Sequence, residues 1–175
     1  MQEGSRKNLY VIDTSSLVVA AQYYPLDRMG IYWGKIRTLV DEGRLISTSY
    51  VYYEIEQFDG TLREWARKTR NLFLAPTEEE QTEVSAIVNS YPNLVDRTAS
   101  PGPADPYVIA LAKVRKRQNR YADVILLNEE GKTDETYRHR NPTWKPKIPN
   151  VCGDFNITSR TVKQLIGMEQ WDFPG

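Results

Sequence analysis

Apolar residues along the chain fall into two kinds of run, short unbroken blocks and longer stretches in which they recur every three or four positions. Residues 9–13, "LYVID", read as a short buried strand that meets turn and cap residues at once. Ser15 or Ser16 can cap a helix over "LVVAAQYY", and Pro25 bounds it. "MGIYWGKIRTLVDEG" places Ile31, Ile36, Leu39 and Val40 on one helical face, with Gly43 as the stop. "RLIST" reads as a second strand, followed by a helix in "SYVYYEIEQFDG" with Ser49 as cap and Gly60 as stop. "TLREWARKTRNLFL" and "TEEEQTEVSAIVNSY" read as helices, each opening on the Thr-x-x-Glu pattern of a capping box. "DRTASPGPA" is a loop by its Pro and Gly content, and "DPYVIALAKVRKRQ" a helix with a broad apolar face. "ADVILL" is a buried strand, "GKTDETYRHRNPTWKPKIPN" a long polar loop, "FNIT" a last strand and "SRTVKQLIGM" a last helix.

Strands that alternate with helices predict a single α/β domain with a mostly parallel sheet over residues 9–175, behind a short tail at residues 1–8. In such sheets, sites form outside the carboxyl ends of the strands. Asp13 falls at one such end, and Asn128, Glu129 and Glu130 fall at another.

Composition narrows the chemistry. The chain has one cysteine, Cys152, and one histidine, His139, which excludes an intrachain disulfide and a Cys/His zinc site. A Ser–His–Asp triad would have to use His139, which sits in a very polar stretch. The 23 basic and 23 acidic residues balance, so any nucleic-acid binding must come from local patches. No apolar run is long enough to span a bilayer, and the start lacks a signal-peptide core, so a cytoplasmic protein is expected.

What remains is a set of carboxylates. Asp13 stands at a strand end, where an ordinary turn into a helix would also favour it. Glu54 lies at the edge of the helical face formed by Val51, Ile55 and Phe58, whereas Glu56 points away. Asp105 precedes Pro106 and reads as a helix N-cap that could also face the strand ends. Glu130 shares its place with Glu129. Two carboxylates about 4 Å apart repel by roughly 4 kcal/mol at an effective dielectric near 20. A divalent cation relieves such a cluster, and oxygen-only ligands suit Mg²⁺ or Mn²⁺, which can activate a water for phosphoryl displacement.

At these residues the sequence resembles the PIN-domain ribonucleases. The marks are "VIDTSSL", "VYYEIEQF", "ADPYVIALA" and "VILLNEE", and the closing "KIPNVCGDFNIT" resembles a PIN branch among toxin–antitoxin ribonucleases. The resemblance implies a parallel sheet of four or five strands between helices. It implies metal-dependent endoribonuclease action on single-stranded RNA, with Mg²⁺ or Mn²⁺ as cofactor, a small antitoxin as partner and a homodimer as a compatible assembly. Carried over, it makes Asp13, Glu54 and Asp105 the metal ligands, with Ser15 supporting Asp13. Where the family carries a Thr and then an acid two residues on, this chain has Asn128 and Glu130, a departure at the fourth acidic position. Asn150 and Asp154 are further candidates there.

Beside the carboxylates, the long polar stretch interleaves cations with aromatic rings, a combination suited to single-stranded nucleic acid. Arg138, Arg140, Trp144, Lys145 and Lys147 are the residues expected to meet RNA. A non-catalytic PIN relative is the alternative. An aspartyl phosphotransferase is a weaker rival, because Ser15 stands where a second Asp is common. No G-x-G-x-x-G follows the first strand, which argues against dinucleotide binding.

Overall fold

The structure, a computed structural model, describes residues 4–96, 98 and 103–173. Five parallel strands form one sheet in the order β3-β2-β1-β4-β5. They are β1 (Leu9–Ile12), β2 (Leu45–Thr48), β3 (Phe73–Leu74), β4 (Val124–Leu127) and β5 (Thr158–Arg160). Eight α-helices flank them: α1 (Thr14–Tyr23), α2 (Gly30–Asp41), α3 (Ser49–Glu56), α4 (Thr61–Lys68), α5 (Glu78–Ser90), α6 (Asp105–Arg117), α7 (Ile148–Asp154) and α8 (Val162–Met168). The sheet is parallel as expected, and its order is consistent with a PIN-like fold. Most of the "DRTASPGPA" loop, at residues 97 and 99–102, lies outside the described residues.

Burial explains why β1 and β4 read as unbroken apolar blocks. A central parallel strand is covered on both faces, so every position must be apolar. Leu9, Tyr10, Val11 and Ile12 are fully buried, and so are Leu126 and Leu127. Each such aliphatic side chain contributes about 1.5–3 kcal/mol of burial. The chain order places β2 and β3 on one side of β1, and β4 and β5 on the other. The connections therefore reverse direction between β1 and β4. That reversal opens a crevice at the carboxyl ends of these two strands, where α/β proteins commonly bind ligands.

Several local expectations shift by a residue or more. Asp13, not Ser15 or Ser16, caps α1, with its side chain accepting from the Ser15 backbone N–H. Thr48, not Ser49, caps α3. Asp105 is the first residue of α6 instead of its cap, which is Ala104. Gly60, at φ 99°, takes the cap place before α4, so the Thr61–Glu64 capping box does not form, whereas the Thr77–Glu80 box does. The stretch "TLREWARKTRNLFL" is not one helix. It breaks after Lys68 into a 3-10 turn at Arg70–Leu72 and the two-residue edge strand β3, which pairs with Ser47 and Thr48. Ile31 is 57% exposed because Tyr32 and Trp33 take the inward places. "FNIT" becomes strand only from Thr158, since Asn156 adopts φ 55° to close α7.

Candidate functional site

Asp13 follows β1 directly, and its backbone N–H donates to the Leu127 carbonyl at 3.0 Å, extending the β1–β4 ladder to the rim. The side chain, only 4% exposed, points into the crevice between the two strands. Its Oδ2 accepts from the Ser15 hydroxyl at 2.9 Å, the Ser15 N–H at 3.3 Å and the Asn128 amide at 3.0 Å. Its Oδ1 is buried with no hydrogen-bond partner. Burial raises the Asp13 pKa, against the opposing pull of the Ser15, Thr14 and Asn128 bonds.

Asn128 is the hub of this corner. Its amide also donates to the Ser15 hydroxyl at 3.2 Å, and its carbonyl oxygen accepts from the Glu130 N–H at 2.8 Å. The Glu129 N–H in turn donates to Ser15 at 3.2 Å. The amide nitrogen carries two donors and the oxygen accepts separately, so this one side chain serves Asp13, Ser15 and the Glu130 N–H together. The neighbouring acids part company. Glu129 accepts from the Ser16 hydroxyl at 2.9 Å and the Val162 N–H at 2.8 Å, tying α1 and α8 to the end of β4. Glu130 is exposed and lines the clefts on either side.

Asp105, half-buried at the start of α6, faces the same place. Burial pushes its pKa up to about 8, and the negative charges of Asp13, Glu130 and Glu54 push the same way. That last dependence shows four acids from four segments sharing one field. Glu54, however, is already engaged: its Oε1 accepts from the Ala104 N–H at 2.8 Å and its Oε2 from the Thr14 hydroxyl. Among the described residues, no three acidic, histidine or cysteine side chains are already gathered into a ligand set. Thr14 and the Ala104 N–H were not anticipated. The run of hydroxyls after Asp13 was the available signal for Thr14, whereas a backbone donor leaves none.

Asn150 and Asp154 lie in other networks. Asn150, fully buried, accepts from the N–H groups of Thr133 and Lys147 at 2.9 and 3.0 Å, and donates to the Thr133 carbonyl and to Glu135. It pins the long polar segment to α7, whose first turn includes residues 148–150 that had read as loop. Asp154 holds Arg138 through both oxygens and accepts from the Tyr91 hydroxyl at 2.6 Å. The Arg138 bond lowers its pKa despite partial burial.

The same contacts revise the expected RNA surface. Arg138 is committed to Asp154 and sits 4.8 Å over the Trp144 ring, and the Trp144 indole N–H donates to the Asp134 carbonyl at 2.8 Å. These two residues build the segment. Arg140 stays exposed in a 3-10 turn at Arg138–Arg140. Lys145 and Lys147 line a cleft of about 320 Å³ together with Asp105 and Glu130.

A family profile described as a domain of unknown function, DUF4411, covers residues 10–173. The chain belongs to the DUF4411 family. Among curated proteins none matches it. The DUF4411 match spans every carboxylate described above and all five strands except Leu9, the first residue of β1. Among the described residues, no helix is long and apolar enough to cross a membrane.

Proposed function

We propose that this DUF4411 protein is a PIN-like, metal-dependent endoribonuclease that cleaves single-stranded RNA in the cytoplasm, as the toxin of a toxin–antitoxin pair. One observation carries the reading. Asp13 Oδ1 is buried without a partner while Asp105, beside it, is held at about 8 by burial and by neighbouring carboxylates. Among the described residues neither carboxylate is in an ion pair, and leaving a buried carboxylate oxygen unsatisfied costs about 1–3 kcal/mol. Hard oxygen donors of this kind fit Mg²⁺ or Mn²⁺.

Such an ion supplies Lewis-acid polarisation of a phosphate oxygen and eases deprotonation of a water. The rest falls to the chain. Ser15 and Asn128 fix the Asp13 carboxylate so that Oδ1 faces the crevice. Asp105 must release its proton to become a ligand. Glu54 would be the third ligand, once freed from the Thr14 hydroxyl or the Ala104 N–H that it now holds. Glu130, exposed at the cleft, accepts the proton of the attacking water.

A second reading, a non-catalytic interaction module, is favoured by the engagement of both Glu54 oxygens. The deciding experiment is incubation of a labelled single-stranded RNA with the purified protein and Mg²⁺ or Mn²⁺. Cleavage is expected, and it should stop with chelator and in Asp13→Asn. Intact RNA with either metal would leave the module reading in its place. The small antitoxin remains the expected regulator, with a homodimer as a compatible assembly.

A further inference from the structure

Glu130 forms part of the wall of two clefts. One, of about 320 Å³, holds Lys145 and Lys147 beside Asp105. The other, of about 410 Å³, follows β5 and holds Lys132, Arg160 and Gln164. Among the described residues none of these four cations is in an ion pair, whereas Arg44, Lys113 and Arg138 all are. Arg160 spends one donor on the neighbouring Ser159 carbonyl, at 2.8 Å. Its position at the carboxyl end of β5 sets it on the same rim as Asp13 and Asn128.

This arrangement has an electrostatic consequence. A phosphodiester must approach a place already crowded with carboxylates, in a chain whose total charge is zero. A mononucleotide would fill one cleft and meet only one pair of cations. A strand that enters by one cleft and leaves by the other meets a pair on each side of the acids. We infer that an internal stretch of single-stranded RNA crosses the site at Glu130, with phosphates on one side held by Lys132 and Arg160 and on the other by Lys145 and Lys147. The inference rests on the ribonuclease reading. It adds a second arm, where Lys132 at the start of the polar segment and Arg160 at the end of β5 share a cleft, to a path that would otherwise run only past Lys145 and Lys147.

The test measures binding apart from cleavage. A fluorescein-labelled single-stranded RNA of about 12 nucleotides is titrated with protein in chelator, between 50 and 200 mM salt, where a slope of about −0.7 per neutralised phosphate applies. The Lys132→Ser/Arg160→Ser variant should flatten the slope by about 1.4 and weaken binding about tenfold at 100 mM. The Lys145→Ser/Lys147→Ser variant should do the same, and the fourfold variant should combine both losses. A trinucleotide should respond to one pair only. All four residues are surface cations, and matching melting curves check that the variants fold. A Lys132→Ser/Arg160→Ser variant with parental slope and affinity would remove the β5 arm, even while metal-dependent cleavage by the parent upheld the ribonuclease reading. Flattened slopes together with an absence of cleavage would keep the strand path and remove the nuclease. No binding by the parent at 50 mM salt, or equal binding of a duplex, would overturn the path outright.

Discussion

The two ends of the sheet treat acidic side chains in opposite ways. At the amino end, Glu169 meets Arg44 through two hydrogen bonds of 2.9 and 2.6 Å and accepts from the Tyr10 hydroxyl at 2.5 Å. Burial alone would raise its pKa, and the bonds from Arg44 and Tyr10 more than reverse that, so it is lowered. At the carboxyl end, Asp13 accepts from neutral donors and Asp105 feels the charges of other carboxylates, with neither in an ion pair among the described residues, and both are raised. The same fold can thus build a matched guanidinium for a buried carboxylate where the acid is structural. At the rim, among the described residues, neither Asp13 nor Asp105 is in an ion pair, and on the proposed reading these are the acids that would meet a metal ion.

The sharpest way to break this contrast is to neutralise one acid at each end. Asp13→Asn keeps the shape and removes the charge, and should lower metal-dependent RNA cleavage by more than about a hundredfold. Its fold should persist, because Asn can still accept from Ser15. Glu169→Gln should leave cleavage within about twofold of the parent yet destabilise the fold by about 2 kcal/mol, since Arg44 would lose its two-bond charged partner and keep only Glu42 at 3.5 Å. Cleavage kinetics and urea melts on both variants decide the matter. Equal activity losses at the two ends would mean that the contrast has no functional content.

A pH titration probes the same contrast through stability. Between about 4 and about 8, folded Asp105 keeps a proton that the unfolded chain releases, because its pKa is pushed up to about 8 from an ordinary 3.8. Stability of the metal-free protein must therefore fall as pH rises through that window, and below it the contribution vanishes. Asp105→Asn removes the dependence, and should gain on the order of 4 kcal/mol over the parent between pH 5 and pH 8. Glu169, with a lowered pKa, has the opposite sign: its contribution is present above the unfolded value and is lost as pH falls through the folded one. A parent and Asp105→Asn pair with parallel pH profiles in chelator would show that Asp105 is not held protonated.

Metal binding offers a third probe, smaller in effect. If Asp105 must lose its proton to become a ligand, apparent Mn²⁺ affinity should drop about tenfold for each pH unit below about 8. The rise in Tm at saturating Mn²⁺ follows the same affinity, about 2.7 kcal/mol at a hundred times Kd. Melting curves at pH 6, 7 and 8 with graded Mn²⁺ supply the numbers. A shift independent of pH would place the ion elsewhere.

How much of this was open to reading from the chain differs by kind of interaction. The strands β1 and β4 were legible because central parallel strands are apolar at every position, and β2 by its Leu45–Ile46 start, with Asp13 standing out where the pattern of β1 stopped. The edge strands β3 and β5 were obscured because two or three half-buried residues carry no period. The chain order leads one to expect Asp13, Glu54, Asp105 and Glu130 at one end of the sheet; Asp105 feels the charge of the other three, yet among the described residues no three acids are gathered into a ligand set. What could not be read were partners distant in sequence: Arg138 with Asp154, Asn150 with Thr133 and Glu135, and Glu54 with Thr14 and Ala104. A residue's type says what bonds it can make, and only the fold says which bonds it has already made.

The pair Glu129 and Glu130 gives the finest test, because two adjacent residues of one type now have separate roles. Glu129 Oε1 accepts from Ser16 and from the first N–H of α8, so it fastens two helices to the end of β4. Glu129→Ala should cost about 1–2 kcal/mol of stability by leaving those donors unmet, and Glu129→Gln should restore most of it, because an amide oxygen accepts the same bonds. Cleavage by the folded fraction should stay near the parent in both. Glu130 is exposed and its side chain holds nothing together, so Glu130→Gln should change stability by less than about 0.5 kcal/mol. It should nonetheless slow cleavage about tenfold, through the lost charge and the lost proton acceptor beside Asp105. The reverse pattern, with cleavage sensitive to Glu129→Gln and indifferent to Glu130→Gln, would exchange the two roles and move the strand crossing away from the clefts that Glu130 joins.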